Sequence, residues 1–133
     1  MLTPVLALVC WTLIVWIWMY ATRIPAMQKA NIDPQSAIHP GSLSGLPQAA
    51  RVVADNYNHL HEQPTIFYAL ALYAHLAGAG DAINIGLAWA YVGVRIVHSL
   101  VQIIVRRVTL RFSVFATGSV ILMAIAVRCV LAL

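Results

Sequence analysis

Residues 2–21 read LTPVLALVCWTLIVWIWMYA, twenty positions without a single charged side chain. An α-helix needs about 20 apolar residues to cross ~30 Å of hydrocarbon, so this stretch is long enough to span a bilayer. Three further apolar stretches follow, at roughly 52–77, 82–105 and 112–133. Lipid offers no partner to an unpaired backbone group, so each is predicted to be helical, and a β-branched run such as 101–105 does not argue for a strand. With their polar flanks, the helices are predicted over 2–30, 48–77, 82–106 and 109–133, with a loop over 31–47, all in one domain spanning 1–133. The expected fold is all-α, an integral membrane four-helix bundle running up-down-up-down.

Composition agrees. Of 133 residues, 62% are hydrophobic and 9% charged, and the mean hydropathy is +0.83. A soluble domain carries about a quarter charged residues, so an ordinary cytosolic domain and a disordered tail are excluded. Eight Lys/Arg against four Asp/Glu leave a net charge of +4, but the charges are scattered and form no stripe that tracks phosphates; no nucleic-acid partner is expected. Two cysteines, Cys10 and Cys129, are too few for a disulfide framework. The first stretch has no basic residue before it and no A-x-A site after it, and is expected to be a retained helix rather than a cleaved leader.

Lys and Arg positions predict the orientation. Arg23, Lys29 and Arg51 flank the first connection and Arg106, Arg107 and Arg111 the third, while the Gly78–Asp81 turn has none. The first and third connections should therefore face the cytoplasm, with both termini on the other side. Arg128 dissents, and is expected to snorkel to the outer interface. The first connection carries turn signals at Asp33-Pro34, His39-Pro40-Gly41 and Gly45-Leu46-Pro47.

Polar groups within spans are costly and face the protein interior by default. The second span carries Asp55, Asn56, Asn58, His59, His61 and Glu62; Asp55, His59 and Glu62 fall at i, i+4 and i+7, one face of a helix, and His61 is expected off that stripe. In the third, Arg95, His98 and Gln102 fall at i, i+3 and i+7. Counting from the inner ends at Arg51 and Arg106, Glu62 and Arg95 both lie ~16 Å deep. An antiparallel pair brings them level, so an ion pair between them is expected, with Arg111 near the mouth. Pro64 should kink or loosen the second span. Trp11, Trp16, Trp18 and Trp89 are expected to face lipid, pack or sit at the interface. Ser99, Ser113 and Ser119 assemble no nucleophilic triad, and no metal site is expected.

The segment Ala54-Asp55-Asn56-Tyr57-Asn58-His59-Leu60-His61-Glu62-Gln63-Pro64-Thr65-Ile66-Phe67-Tyr68 resembles the second-helix signature of the membrane-associated proteins in eicosanoid and glutathione metabolism, the MAPEG superfamily, and its bacterial members in particular. Arg95-Ile96-Val97-His98-Ser99 resembles that family's third-helix R-x-x-H/Y element, and Arg111 before an apolar fourth helix fits as well. The resemblance implies a homotrimer in a bacterial inner membrane, with glutathione as co-substrate in a cytoplasm-facing cleft between subunits and a lipophilic small molecule arriving from the membrane lipid. It implies that Glu62, Arg95, His98, His59, Asn58 and Gln102 hold glutathione, that Arg111 lies by the thiol as the catalytic residue, and that Arg23 comes from the adjacent subunit. His59 stands where the family usually has asparagine, Asp55 where several members have arginine, Gln102 in place of a tyrosine and Phe112 in place of a serine, which points away from eicosanoid chemistry.

The expected activity is therefore that of a glutathione-dependent transferase or peroxidase. Alternatives from other classes are a non-catalytic binding protein for another anionic or zwitterionic ligand, a proton or ion relay along the stripes, and polar groups that only satisfy one another and fix helix register.

Overall fold

The computed structural model describes residues 1–36, 38, 43 and 45–133. The described residues are all-helical, with no strand among them. α1 runs over Leu2–Lys29, and a short 3₁₀ turn follows at Pro34–Ser36. α2 occupies Gln48–His59, α3 Gln63–Leu76, α4 Ala82–Leu100 and α5 Val108–Leu131. The turn expected at 39–41 lies outside the described residues.

Three segments, Leu2–Lys29, Ala82–Val105 and Val108–Leu131, are long and apolar enough to cross a membrane. The second stretch differs: it is two helices with a break at 60–62, not one rod. Pro64 is the cause. It has no N–H to offer the carbonyl of Leu60, and its ring crowds that carbonyl, whereas in the first turn of a new helix both defects vanish. It sits in the first turn of α3. α2 closes with short-range bonds, His61 N–H to the Asn58 carbonyl at 3.0 Å and Glu62 N–H to the His59 carbonyl at 3.2 Å. The His61 ring nitrogen lies 2.9 Å from the Tyr57 carbonyl and supplies a donor that the helix end lacks. With 14 residues, α3 alone is ~21 Å long, so this part of the bundle reaches full height only with α2 added.

α1 packs on α2, α3 and α4, while α5 packs on α4 and α3, which closes a four-membered bundle. The shared core takes Leu8, Val15 and Met19 from α1, Val53 and Leu60 around α2, Phe67 and Ala71 from α3, Tyr91 and Val92 from α4, and Leu122 from α5. The bilayer interior is as apolar as leucine, so such helices associate through packing and hydrogen bonds rather than hydrophobic burial. Trp11 Nε1 accordingly donates to Ser99 Oγ at 3.1 Å, tying α1 to α4. Trp18 packs against the core from its rim, whereas Trp16 and Trp89 are exposed. Gly118 lets α5 approach closely: a Cβ there would stand 3.4 Å from the Tyr91 ring and 3.5 Å from Val94.

At the far end Asp81 caps α4 by accepting from the Asn84 N–H at 2.8 Å. Arg128 donates to Asp81 Oδ2 at 2.5 Å and to Asn84 Oδ1 at 2.8 Å. The cation that broke the charge pattern is thus matched by the acid of the second turn and does not snorkel alone.

Candidate functional site

α4 ends in a π-helical turn at Val101–Val105, in which Arg106 N–H reaches the Val101 carbonyl at 2.7 Å. Arg106 then takes a left-handed conformation with φ 59° and reverses the chain into α5. π turns recur at functional sites because the extra residue re-aims side chains. Here the turn contains Gln102, which is buried.

Between this turn, the α2–α3 break and the start of α5 lies a cleft of about 400 Å³ lined by Asp55, His59, Glu62, His98, Gln102, Val108, Arg111, Phe112 and Phe115. A smaller hollow of about 120 Å³ adjoins it, sharing Asp55, Gln102, Val108 and Arg111 and adding Arg106 and Arg107. The polar stripe of the second span and His98 and Gln102 of the third therefore line one cavity. Ligand sites of small molecules commonly occupy 300–1,000 Å³ with a few convergent polar groups on an apolar frame.

The expected Glu62–Arg95 ion pair is not formed. Arg95, 1% exposed, donates from Nη2 to His59 Nδ1 at 2.9 Å instead. Glu62, 69% exposed at its side chain, comes only within 4.0 Å of His59 Nε2. The break explains this: the i+7 register assumed an unbroken helix, but the helix stops at His59, and Glu62 becomes the exposed residue that precedes α3. Arg95 is thus turned inward yet stands behind His59 rather than on the wall of the cleft. Its Nε and Nη1, together with His98 Nδ1 and Asn56 Oδ1, are buried without a hydrogen-bond partner among the described residues.

His98 is stacked on His59 with ring centroids 4.8 Å apart and planes 8° from parallel. Phe115 and His59 pack in a T-shaped arrangement with ring centroids 5.6 Å apart. Gln102 Oε1 accepts from Asn56 Nδ2 at 3.0 Å, a buried bond from α2 to the π turn. Arg111 is half-buried on the cleft wall. Asn58 is exposed and outside the lining, and Arg23 is half-buried and also outside it.

Sequence reasoning gave no role to Asn56, Gln63, Tyr91 or Phe115. Tyr91 Oη donates to Gln63 Oε1 at 3.2 Å, and Gln63 Nε2 donates to Ser119 Oγ at 2.7 Å, so three helices are linked just beyond the cleft. A glutamine beside Pro64 within an apolar span was the available signal. Between Tyr91 and Asn84 the buried positions are apolar, with Phe67, Ala71 and Ala74 of α3 and Ala88 of α4, so an apolar layer separates the cleft from the Asp81–Arg128 end.

Chemically, the cleft sets guanidinium, imidazole and carboxylate groups around a space walled by phenylalanine. It can take a polar ligand bearing both charges beside an apolar one. Comparison with curated proteins returns no match, and comparison with solved structures returns none either. A sequence model of the MAPEG family matches residues 1–131, and with that coverage the chain belongs to the MAPEG family.

Proposed function

We propose that this protein is a glutathione-dependent transferase or peroxidase of the membrane, acting on lipophilic electrophiles or hydroperoxides. The observation that carries this reading is the single cleft that gathers Glu62, His59, His98, Gln102 and Arg111 on apolar helices. Family membership, which is glutathione-associated in general, supports it.

Glutathione carries two carboxylates and one ammonium. A partly desolvated site needs donors for the former and a carboxylate for the latter. Glu62 takes the ammonium, the imidazoles and the Gln102 amide offer donors, and the Arg106 and Arg107 hollow lies within reach of a terminal carboxylate. Arg111 stands beside the thiol. A free thiol has a pKa of about 8.5, and a guanidinium in contact favours the thiolate. The thiolate then attacks an apolar electrophile: a sulfur–carbon bond forms, the leaving anion departs, and the thiol proton goes to water at the open mouth. With a hydroperoxide, two glutathiones are oxidised to the disulfide while the peroxide is reduced to an alcohol and water. Neither route needs a protein nucleophile.

The same reading has three copies assemble in a bacterial inner membrane, with the cleft toward the cytoplasm and the partner's Arg23 completing it. A transmembrane proton relay is less well supported, because an apolar layer between Tyr91 and Asn84 separates the polar groups of the two ends.

The deciding measurement is turnover of a chlorinated aromatic and of a lipid hydroperoxide by protein in liposomes at saturating glutathione. Wild type is expected to turn over at least one, and Arg111→Ala to lose about 10²-fold or more, as when a key electrostatic donor is removed. Equal inertness of both would end the catalytic reading. Stabilisation by other anions but not by glutathione would favour a binding protein, and proton flux abolished in Glu62→Gln would favour a relay.

A further inference from the structure

The contact between Arg95 and His59 fixes more than position. A guanidinium has five N–H donors and no acceptor. Its Nη2 lies 2.9 Å from His59 Nδ1, so Nδ1 must offer its lone pair and cannot carry a proton. The proton of a neutral ring then sits on Nε2, the nitrogen that faces Glu62 Oε2 across 4.0 Å. That separation exceeds a hydrogen bond and leaves room for a guest atom to be bridged. His98, stacked nearly parallel at 4.8 Å, and Phe115, with ring centroids 5.6 Å apart, hold the ring against a flip that would bring Cδ2 to face Arg95 in place of Nδ1.

We propose that Arg95 is a positioning residue that locks His59 in the Nε2–H tautomer, so that His59 is a fixed donor into the cleft for a carboxylate or carbonyl oxygen of a ligand whose ammonium rests on Glu62. The ligand so described is a zwitterionic α-amino-acid end. The claim that a ligand receives this donor rests on the glutathione reading above; the lock itself does not. Nor does Arg95 meet the ligand directly: it is sealed at 1% exposure and acts through the imidazole. A histidine is required for this device, since an asparagine side chain at 59 satisfies Arg95 but is too short to deliver a donor on the far side.

The test begins with unliganded wild type, labelled with ¹⁵N-histidine in detergent near neutral pH. A long-range ¹H–¹⁵N correlation spectrum of the five histidines shows which ring nitrogen is protonated, and loss of one signal in His59→Asn assigns it. The expected result is a single Nε2–H tautomer for His59, kept in Arg95→Lys and replaced by mixed tautomers in Arg95→Met. A protonated Nδ1 in the wild type overturns the lock whether or not any variant folds. Binding then separates the two claims. His59→Gln, whose amide falls near the Nε2 position, is expected to keep glutathione affinity within about threefold, while His59→Asn weakens it about tenfold, the loss of one well-placed donor. The reverse order overturns the donor role. Wild type that binds no glutathione but shows the expected tautomer upholds the lock and sinks the glutathione reading alone.

Discussion

Two polar residues of the same site carry opposite burdens. Asn56 is fully buried and bonds the π turn through Gln102, whereas Glu62 is exposed and comes within 4.0 Å of His59. Asn56→Leu strands the Gln102 oxygen, and measured interhelical hydrogen bonds within membranes are worth about 0.6–1.7 kcal/mol. A fall of that size in unfolding free energy is expected in a detergent titration, with a loosened cleft as its consequence. Glu62→Gln should leave the unfolding curve where it was and weaken glutathione binding about tenfold, because only the ammonium contact is lost. A drop in stability with Glu62→Gln would show that the carboxylate supports the fold. The sequence revealed much at this scale. Helical spacing put Asp55, His59 and Glu62 on one face and Arg95, His98 and Gln102 on another, and all of these but Arg95, which stands behind His59, line one cavity. What it missed was the pairing within that cavity, because the count from Asp55 to Glu62 assumes an unbroken helix, whereas α2 stops at His59.

Among the elements, that interruption is the feature with the largest effect. The break at 60–62 aims Glu62 outward and leaves His59 as the last residue of α2, where Arg95 reaches it. Pro64→Ala restores the donor to the Leu60 carbonyl and lets α2 and α3 join, which turns Glu62 with the helix. The expected outcome is a folded protein of slightly higher helicity by circular dichroism whose glutathione affinity falls fivefold or more. Unchanged affinity would mean that the break does not shape the site. Gly118 is the counterpart on α5. Alanine there meets only ordinary contact distances, but a leucine must displace the Tyr91 ring or Val94. Gly118→Leu is expected to lower the unfolding midpoint by several degrees, with Gly118→Ala near wild type. Neither the π turn nor the Arg106 reversal was legible beforehand, because nothing in residues 101–105 marks an i→i+5 bond: the side chains are apolar and β-branched apart from Gln102, and the cause lies in how the chain must turn.

For the whole molecule, three of the four expected spans were legible as single helices of membrane-crossing length, because hydrocarbon thickness dictates that length, whereas assembly was not, because apolar surface faces lipid and partner copies alike. Ile17, Leu13, Ile104, Val120 and Met123 all remain exposed in the single chain. Arg23 gives a handle on assembly. It is half-buried, outside the lining of its own chain's cleft, yet the resemblance assigns it to the neighbour's ligand. If it acts across a subunit boundary, Arg23→Ala and Arg111→Ala damage different halves of each shared site. Each variant alone should be nearly inactive, since every site in its assembly lacks one arginine. Co-expressed, the two chains mix, and wherever an Arg23→Ala subunit supplies Arg111 while an Arg111→Ala neighbour supplies Arg23, one intact site is rebuilt. Glutathione-dependent turnover by the purified mixture is therefore expected to rise well above that of either variant, and native mass spectrometry should record mixed trimers in the same sample. Mixed assemblies that stay inactive would place both arginines in one chain's site and remove the case for a shared cleft.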